Sequence, residues 1–392
     1  MSEKNQTNTN VHQVSRRNLL LGSAAAASLM AFPALSRGKE MVKNSLLMDA
    51  FPLPSGFSFG KVETPRHRSV YLQAGPKKGP LMIFIHGHPE LAIIWRAQME
   101  YFASRGWHCV APDMRGYGNS SIPQETRAYA VRELVADMVE LHDALGGKPA
   151  VWVGHDWGSP VAWAMGSHHP ERSRALVNLS VPYFSRGFAL PNLVAQVDRN
   201  LYPINKFPVG QWDYWLFYRE SFEKAARDFE RNVESTIDAL FRPGTPDAEK
   251  KIAFTADLRA QGGWFGRTGI APSFPAGTGL LSKDDLTYYT RVFKTNGFKS
   301  ADAWYLNDVD NITYAGEAKH FGLLSLPVLF IHGKWDSVCE TVRSRLANPM
   351  RDDCANLSEV VTDAGHFPML EKKNIVNAAI EKWILEKVNP RV

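Results

Sequence analysis

Cysteine is scarce in this chain of 392 residues. There are three, Cys109, Cys339 and Cys354, too few for a disulfide scaffold. Cys109 lies in an apolar strand pattern and reads as a small core hydrophobe. Cys339 and Cys354 could pair in an oxidising compartment, but their sequence positions do not fix their separation. A large excess of charge of one sign is also lacking. The formal net charge is +5, and residues 1–36 hold Lys4, Arg16 and Arg17 against Glu3, which leaves +3 for the remainder. No basic cluster is interleaved with aromatics, so nucleic acid is not an expected partner. The apolar run Leu19–Phe32 is 14 residues long, short of the roughly 20 that a spanning helix needs. Aromatic residues, by contrast, are plentiful. The 11 Trp and 21 Phe fit a large core, and an apolar binding cavity is compatible with them.

The short run at the N-terminus has its own meaning. Ser15-Arg16-Arg17-Asn18 precedes an Ala-rich, mildly apolar stretch, and Ala34-Leu35-Ser36 offers small residues for cleavage after Ser36. The pattern resembles a bacterial twin-arginine (Tat) signal peptide. The expectation is a signal over 1–36, a linker over 37–50, and a periplasmic or secreted protein exported folded by the Tat machinery. No Cys follows the run, so a lipoprotein is not indicated.

Farther on, apolar runs and helical periodicities alternate. Ser58–Thr64 and Ser69–Gln73 alternate like strands around Pro65. Leu81–Ile85, His108–Pro112, Val151–Val153, Ala175–Val181, Val328–Ile331 and Leu357–Val361 read as further strands, several of them buried on both faces. Helices are predicted over Ile94–Ser104, Val131–Leu145, Pro160–His168 and Ile375–Leu385. Strand–helix alternation of this kind implies an α/β fold, a mostly parallel sheet flanked by helices. Between Pro182 and Leu326 the strands disappear and Trp, Tyr, Phe, Asn and Gly dominate, with helical stretches at Trp215–Leu240 and Asp284–Phe293. The expected organisation is a core over 51–182 and 322–392 with an inserted helical cap over 183–321. A cap there would roof the carboxyl ends of the strands, where such sheets bind ligands.

The chemistry centres on Gly154-His155-Asp156-Trp157-Gly158. An apolar strand ends in a small residue, an acid stands at the apex, and small residues follow. That is the spacing of a nucleophile elbow, G-x-Nu-x-G, with Asp as the nucleophile. A carboxylate that attacks carbon forms an ester, and hydrolysis of the ester needs a base, usually a His oriented by a second acid. Asp336, after a strand, and His366, in the loop after the last strand, occur in the expected order. Ester hydrolysis also needs donors for the developing oxyanion. The main-chain N–H groups of Trp157, after the nucleophile, and of His88, in His86-Gly87-His88-Pro89, are placed for that role. A metal reading of His86-x-His88 with His168-His169 lacks a matching third ligand.

From about residue 51 to the end, the chain resembles the soluble epoxide hydrolases, α/β-hydrolases with an Asp nucleophile and a helical cap. Four motifs carry the likeness: His86-Gly87-His88-Pro89-Glu90, Asp113-Met114-Arg115-Gly116-Tyr117-Gly118, the Asp156 elbow, and Gly365-His366. The resemblance implies a cofactor-free hydrolase that turns a small apolar epoxide and water into a vicinal diol; a homo-oligomer is compatible with it. It also implies two cap tyrosines that hold the epoxide oxygen. Asp213-Tyr214-Trp215 resembles the first tyrosine segment and selects Tyr214. Thr287–Phe293, followed by Trp304-Tyr305, resembles the second and selects Tyr289, with Tyr288 or Tyr218 as substitutes. Two positions depart from the family: His88 stands where an aromatic, often Phe, is usual, and Trp215 where Gln commonly follows the first tyrosine. Both bear on substrate preference. A haloalkane dehalogenase would use the same Asp156, His366 and Asp336, but the Asn it often carries at position 88 is missing.

Overall fold

The computed structural model describes residues 53–388, which form one compact unit. The expected signal peptide and linker lie outside the described residues. Eight strands form one sheet: β1 (Phe57–Glu63), β2 (Arg68–Ala74), β3 (Leu81–Ile85), β4 (His108–Pro112), β5 (Ala150–His155), β6 (Ser173–Leu179), β7 (Val328–Gly333) and β8 (Leu357–Thr362). Their order is β1-β2-β4-β3-β5-β6-β7-β8. β1 and β2 pair antiparallel, as do β2 and β4, and every later pairing is parallel.

The burial follows from that order. β3, β4, β5 and β7 are buried at every residue, as continuous apolar runs require when helices cover both faces. Edge strand β8 is only half buried. The core helices are α1 (Arg96–Ala103), α2 (Val131–Ala144) and α3 (Gly158–His168), joined at the C-terminal end by Lys373–Trp383. On α2 the residues Leu134, Val135, Met138 and Leu141 are buried along one stripe, the apolar face its periodicity predicts. Among the described residues, no helix is long and apolar enough to cross a membrane.

Between β6 and β7 the chain forms helices only. The principal ones are α4 (Asp213–Glu230), α5 (Val233–Leu240), α6 (Lys283–Asn296) and α7 (Asp308–Ala315). The helical stretch expected over Trp215–Leu240 is two helices. Asn232 leaves helical geometry and its side chain accepts from the Ser235 N–H at 3.2 Å, an N-cap that starts α5 anew. Ser282 caps α6 in the same way, accepting from Asp285 N–H, and Gly297, at φ +72°, ends it. The three cysteines are free and buried, and Cys339 and Cys354 form no disulfide.

Candidate active site

The elbow is built by steric exclusion. β5 ends at His155, Asp156 takes φ +48°, and α3 begins at Gly158. A non-glycine residue at positive φ is strained, and the close packing around it explains why the strain persists. A Cβ on Gly158 would lie 2.1 Å from the Ile85 carbonyl oxygen, and one on Gly154 would lie 2.7 Å from the Gly158 carbonyl oxygen. The flanking small residues are therefore spatial necessities. Gly87 belongs to the same wedge, since a Cβ there would stand 2.4 Å from Asp156 Oδ1.

The two oxygens of Asp156 have different neighbours. Oδ1 accepts the His88 main-chain N–H at 2.7 Å. Oδ2 lies 3.4 Å from His366 Nε2. His366 Nδ1 is 2.6 Å from Asp336 Oδ2, and Asp336 Oδ1 accepts the Val338 and Cys339 N–H groups at 3.0 and 2.9 Å. The structure thus brings Asp156, His366 and Asp336 together. Trp157 directly follows Asp156 and leads into α3.

Electrostatics follows the contacts. Burial alone would raise the Asp156 carboxyl. The hydrogen bond and charge of His366, with smaller help from His155 and the His88 N–H, instead pull it down to about 2. Burial works against the charged form of His366 too, but the carboxylates of Asp336 and Asp156 outweigh it and hold the imidazole well above its usual value. Asp336 is likewise lowered, against its burial, chiefly by His366. At neutral pH the resting site therefore holds an imidazolium between two carboxylates.

A cavity of about 350 Å³ opens over this set. Tyr214, Tyr218, Tyr305, Trp264, Phe229 and His88 line it with Asp156 and His366. The rings of Tyr214 and Tyr305 lie 5.6 Å apart at 76°. Among the described residues neither hydroxyl has a hydrogen-bond partner. Burial first, and then the Asp156 charge among others, push both phenols well above their ordinary value, so each stays a protonated donor.

Tyr289 does not belong to this pair. Its hydroxyl accepts the buried Leu91 N–H at 3.0 Å, its ring packs against Phe241 and Phe293, and it does not line the cavity. The buried stripe of α6, with Val292 and Phe293, turns Tyr289 onto the core. Tyr305 lines the cavity beside Tyr214 instead, as does Tyr218, one of the substitutes the sequence offered. Tyr305 sits in a short 3-10 turn, Ala303–Leu306, where helical spacing gives no guide to facing; the available signal was its Trp304-Tyr305 context.

Two more residues escaped the sequence reading. His155 Nε2 donates to the His366 carbonyl at 2.6 Å while its Nδ1 lies 2.6 Å from Glu90 Oε1. Glu90 Oε2 accepts the Gly87 N–H at 2.8 Å. This buried pair ties the His88 loop, the elbow and the His366 loop together. His86 is equally committed: its Nε2 accepts the Met114 N–H at 2.9 Å, so Nδ1 carries the proton and donates to the Gly87 carbonyl. With both nitrogens engaged and burial lowering its pKa to about 4, His86 is not a free metal ligand. Among the described residues, Asp336, Cys339 and His366 are the one group with ligand atoms close enough to share a metal ion. Asp336 and His366 already hydrogen-bond each other, and burial raises the Cys339 thiol, so the set is poorly disposed to ligate one.

The Asp113–Gly118 loop has a bracing role. Asp113 accepts the Ala92 and Asn119 N–H groups at 3.0 and 3.2 Å. Arg115 pairs with Asp137 through two hydrogen bonds at 2.8 and 2.7 Å.

Known proteins resemble this chain in sequence and in fold. The alpha/beta hydrolase fold family matches over residues 80–373. The chain is 33% identical over 339 residues to epoxide hydrolase A of Mycobacterium tuberculosis, covering 82% of this chain and 96% of that one. It is 29% identical to bifunctional epoxide hydrolase 2 of Sus scrofa, covering 88% of this chain but 59% of that longer protein. Among solved structures, epoxide hydrolase A of Mycobacterium thermoresistibile superposes with a TM-score of 0.66 at 29% identity, covering 83% and 97% of the two chains. An epoxide hydrolase mutant of Vigna radiata gives 0.68 at 27%, covering 85% and 100%.

Proposed function

This chain belongs to the alpha/beta hydrolase fold family, among its epoxide hydrolases, and from that premise we propose how its buried acid opens an epoxide to a diol. Asp156 Oδ2 attacks an epoxide carbon as the opposite C–O bond breaks, while Oδ1 stays on the His88 N–H. Tyr214 and Tyr305 donate to the departing oxygen, an interaction that strengthens as charge develops there. The observation that carries this reading is the pair of buried, protonated phenols with no protein partner, facing a carboxylate backed by a His–Asp pair.

Ester formation removes the Asp156 charge. The imidazolium of His366 loses one of the two carboxylates that held its proton, and the alkoxide takes that proton by way of the tyrosines. Neutral His366 then draws a proton from water as the water oxygen attacks the ester carbonyl. The His88 and Trp157 N–H groups receive the resulting oxyanion. Collapse breaks the ester, His366 returns its proton to the leaving alkoxide, and the proton left on Asp156 restores the imidazolium. The cycle balances as epoxide plus water giving diol.

A single turnover in ¹⁸O-labelled water tests this route. The first diol should carry unlabelled oxygen from Asp156, and label in that first product would overturn the covalent step. The variant H366Q should trap the ester as a mass increase equal to the substrate. A parallel screen of haloalkanes should give no halide where epoxides give diol.

The twin-arginine pattern at Arg16-Arg17 supports a second proposal, that the protein is exported by the Tat machinery to the periplasm or beyond. Changing both arginines to lysine should leave full-length protein in the cytoplasmic fraction; unchanged export would overturn it.

A further inference from the structure

A second histidine–aspartate pair begins at the residue whose main-chain N–H holds the other carboxylate oxygen of Asp156. His88, whose N–H holds Oδ1, turns its ring into the cavity wall. Its Nε2 lies 3.0 Å from Asp302 Oδ1, and the two side chains are 5% and 0% exposed. The imidazole meets Tyr305 edge-on at 5.2 Å and Tyr218 at 6.1 Å. Oxyanion stabilisation needs only the main-chain N–H of residue 88, so it does not account for a polar ring. Burying polar groups of this kind is costly, and nothing in the ester cycle uses the pair.

The hydrogen-bond inventory shows what the pair offers. Burial pushes the Asp302 carboxyl up, and the His88 hydrogen bond and charge oppose that. In the tautomer that donates Nε2–H to Asp302 Oδ1, Nδ1 is an acceptor. No described residue hydrogen-bonds that Nδ1. Asp302 Oδ2 is buried without a partner at hydrogen-bond distance, as is the Tyr218 hydroxyl. His88 Nδ1 and Asp302 Oδ2 are therefore acceptors to which no described residue donates within hydrogen-bond distance. An anionic substituent would meet the charges of Asp302 and Asp156. A plain alkyl group would leave Nδ1 unpaired, and sites with unpaired buried polar groups discriminate against such analogues.

We propose that His88, held by Asp302, is a hydrogen-bond-accepting subsite that selects epoxides bearing a hydroxyl on the carbon next to the ring over those bearing alkyl there. The inference rests on the epoxide-opening function above. Glycidol and 1,2-epoxybutane differ only in CH2OH against CH2CH3 and form the test pair. The ratio of their kcat/KM values is the readout, and uniform damage to the site leaves a ratio unmoved.

Wild type should favour glycidol. In H88F, which keeps the main-chain N–H and a ring of similar size, the ratio should fall about tenfold. In D302N, where the ring is no longer fixed by a carboxylate, it should fall by a smaller factor. If H88F does not fold, the D302N ratio decides alone. An unchanged ratio in the variants, with diol still formed, overturns the subsite and leaves the epoxide function standing. Failure of wild type to form diol from any epoxide overturns the function itself, and the subsite with it.

Discussion

The proton on His366 is held there by the residue that starts the reaction. Its raised pKa owes most to Asp336 and Asp156 acting against burial, so removing one of those charges must lower it. In D156A the His366 imidazole should titrate at lower pH than in wild type when followed by NMR, and an unmoved titration would contradict the proton route above. The sign for stability follows by linkage. A raised His value stabilises the fold fully below the unfolded value of about 6.5 and loses that effect as pH rises through the folded value. The depressed Asp156 stabilises above about 3.8 and loses its effect as pH falls through about 2,. Both terms are complete from about pH 4 to 6.5. The Tm gap between wild type and H366Q should be widest there and narrow at alkaline pH. Gly87 offers a steric test on the same acid. A methyl at that position would collide with Asp156, and displacement by a fraction of an ångström to 1 Å costs on the order of 100-fold in rate. G87A should show that loss in kcat while its far-UV circular dichroism matches wild type.

At the scale of the element, the tyrosines separate what a helix needs from what the reaction needs. Y305F removes a donor to the departing oxygen and should slow ester formation about 100-fold. Y289F removes the acceptor of the buried Leu91 N–H, and should cost about 1–3 kcal/mol of stability while ester formation stays within a few-fold of wild type. Stopped-flow Trp fluorescence and thermal melts distinguish the two, and the reverse pattern would restore Tyr289 to the site. The same contrast marks how far the sequence could be read. Strands β3, β4, β5 and β7 were legible because burial on both faces leaves an unbroken apolar run. Asp156 was legible because its turn tolerates only small neighbours at fixed offsets. Tyr289 and Tyr305 were not separable, since a phenol suits a core and a cavity wall equally well and its facing depends on how α6 docks. The His88–Asp302 contact joins residues 214 positions apart, and no local spacing announces it.

Across the whole molecule, the helical insertion is fastened to the sheet by the loop that carries Arg115. The carbonyls of Arg115, Gly116 and Gly118 accept from Trp304 Nε1, Ser300 Oγ and Asn296 Nδ2 at 3.3, 2.8 and 2.8 Å. Arg96 adds a two-pronged ion pair to Asp285, and Asn311 accepts the Val131 N–H at 2.9 Å. These ties, with the aromatic contacts between Trp157 and Trp304, Tyr305 and Trp215, make core and insertion stabilise each other. Calorimetry should record a single cooperative transition, with calorimetric and van't Hoff enthalpies equal; two resolved transitions would mean that the cap melts separately.

The buried thiols carry one last consequence. Cys109, Cys339 and Cys354 are unpaired, and burial pushes all three thiols upward, Cys354 to about 12, so the reactive thiolate is almost absent in the native state. The fold is thereby indifferent to redox potential: glutathione in a reducing compartment has nothing to break, and oxidants outside it find little to attack.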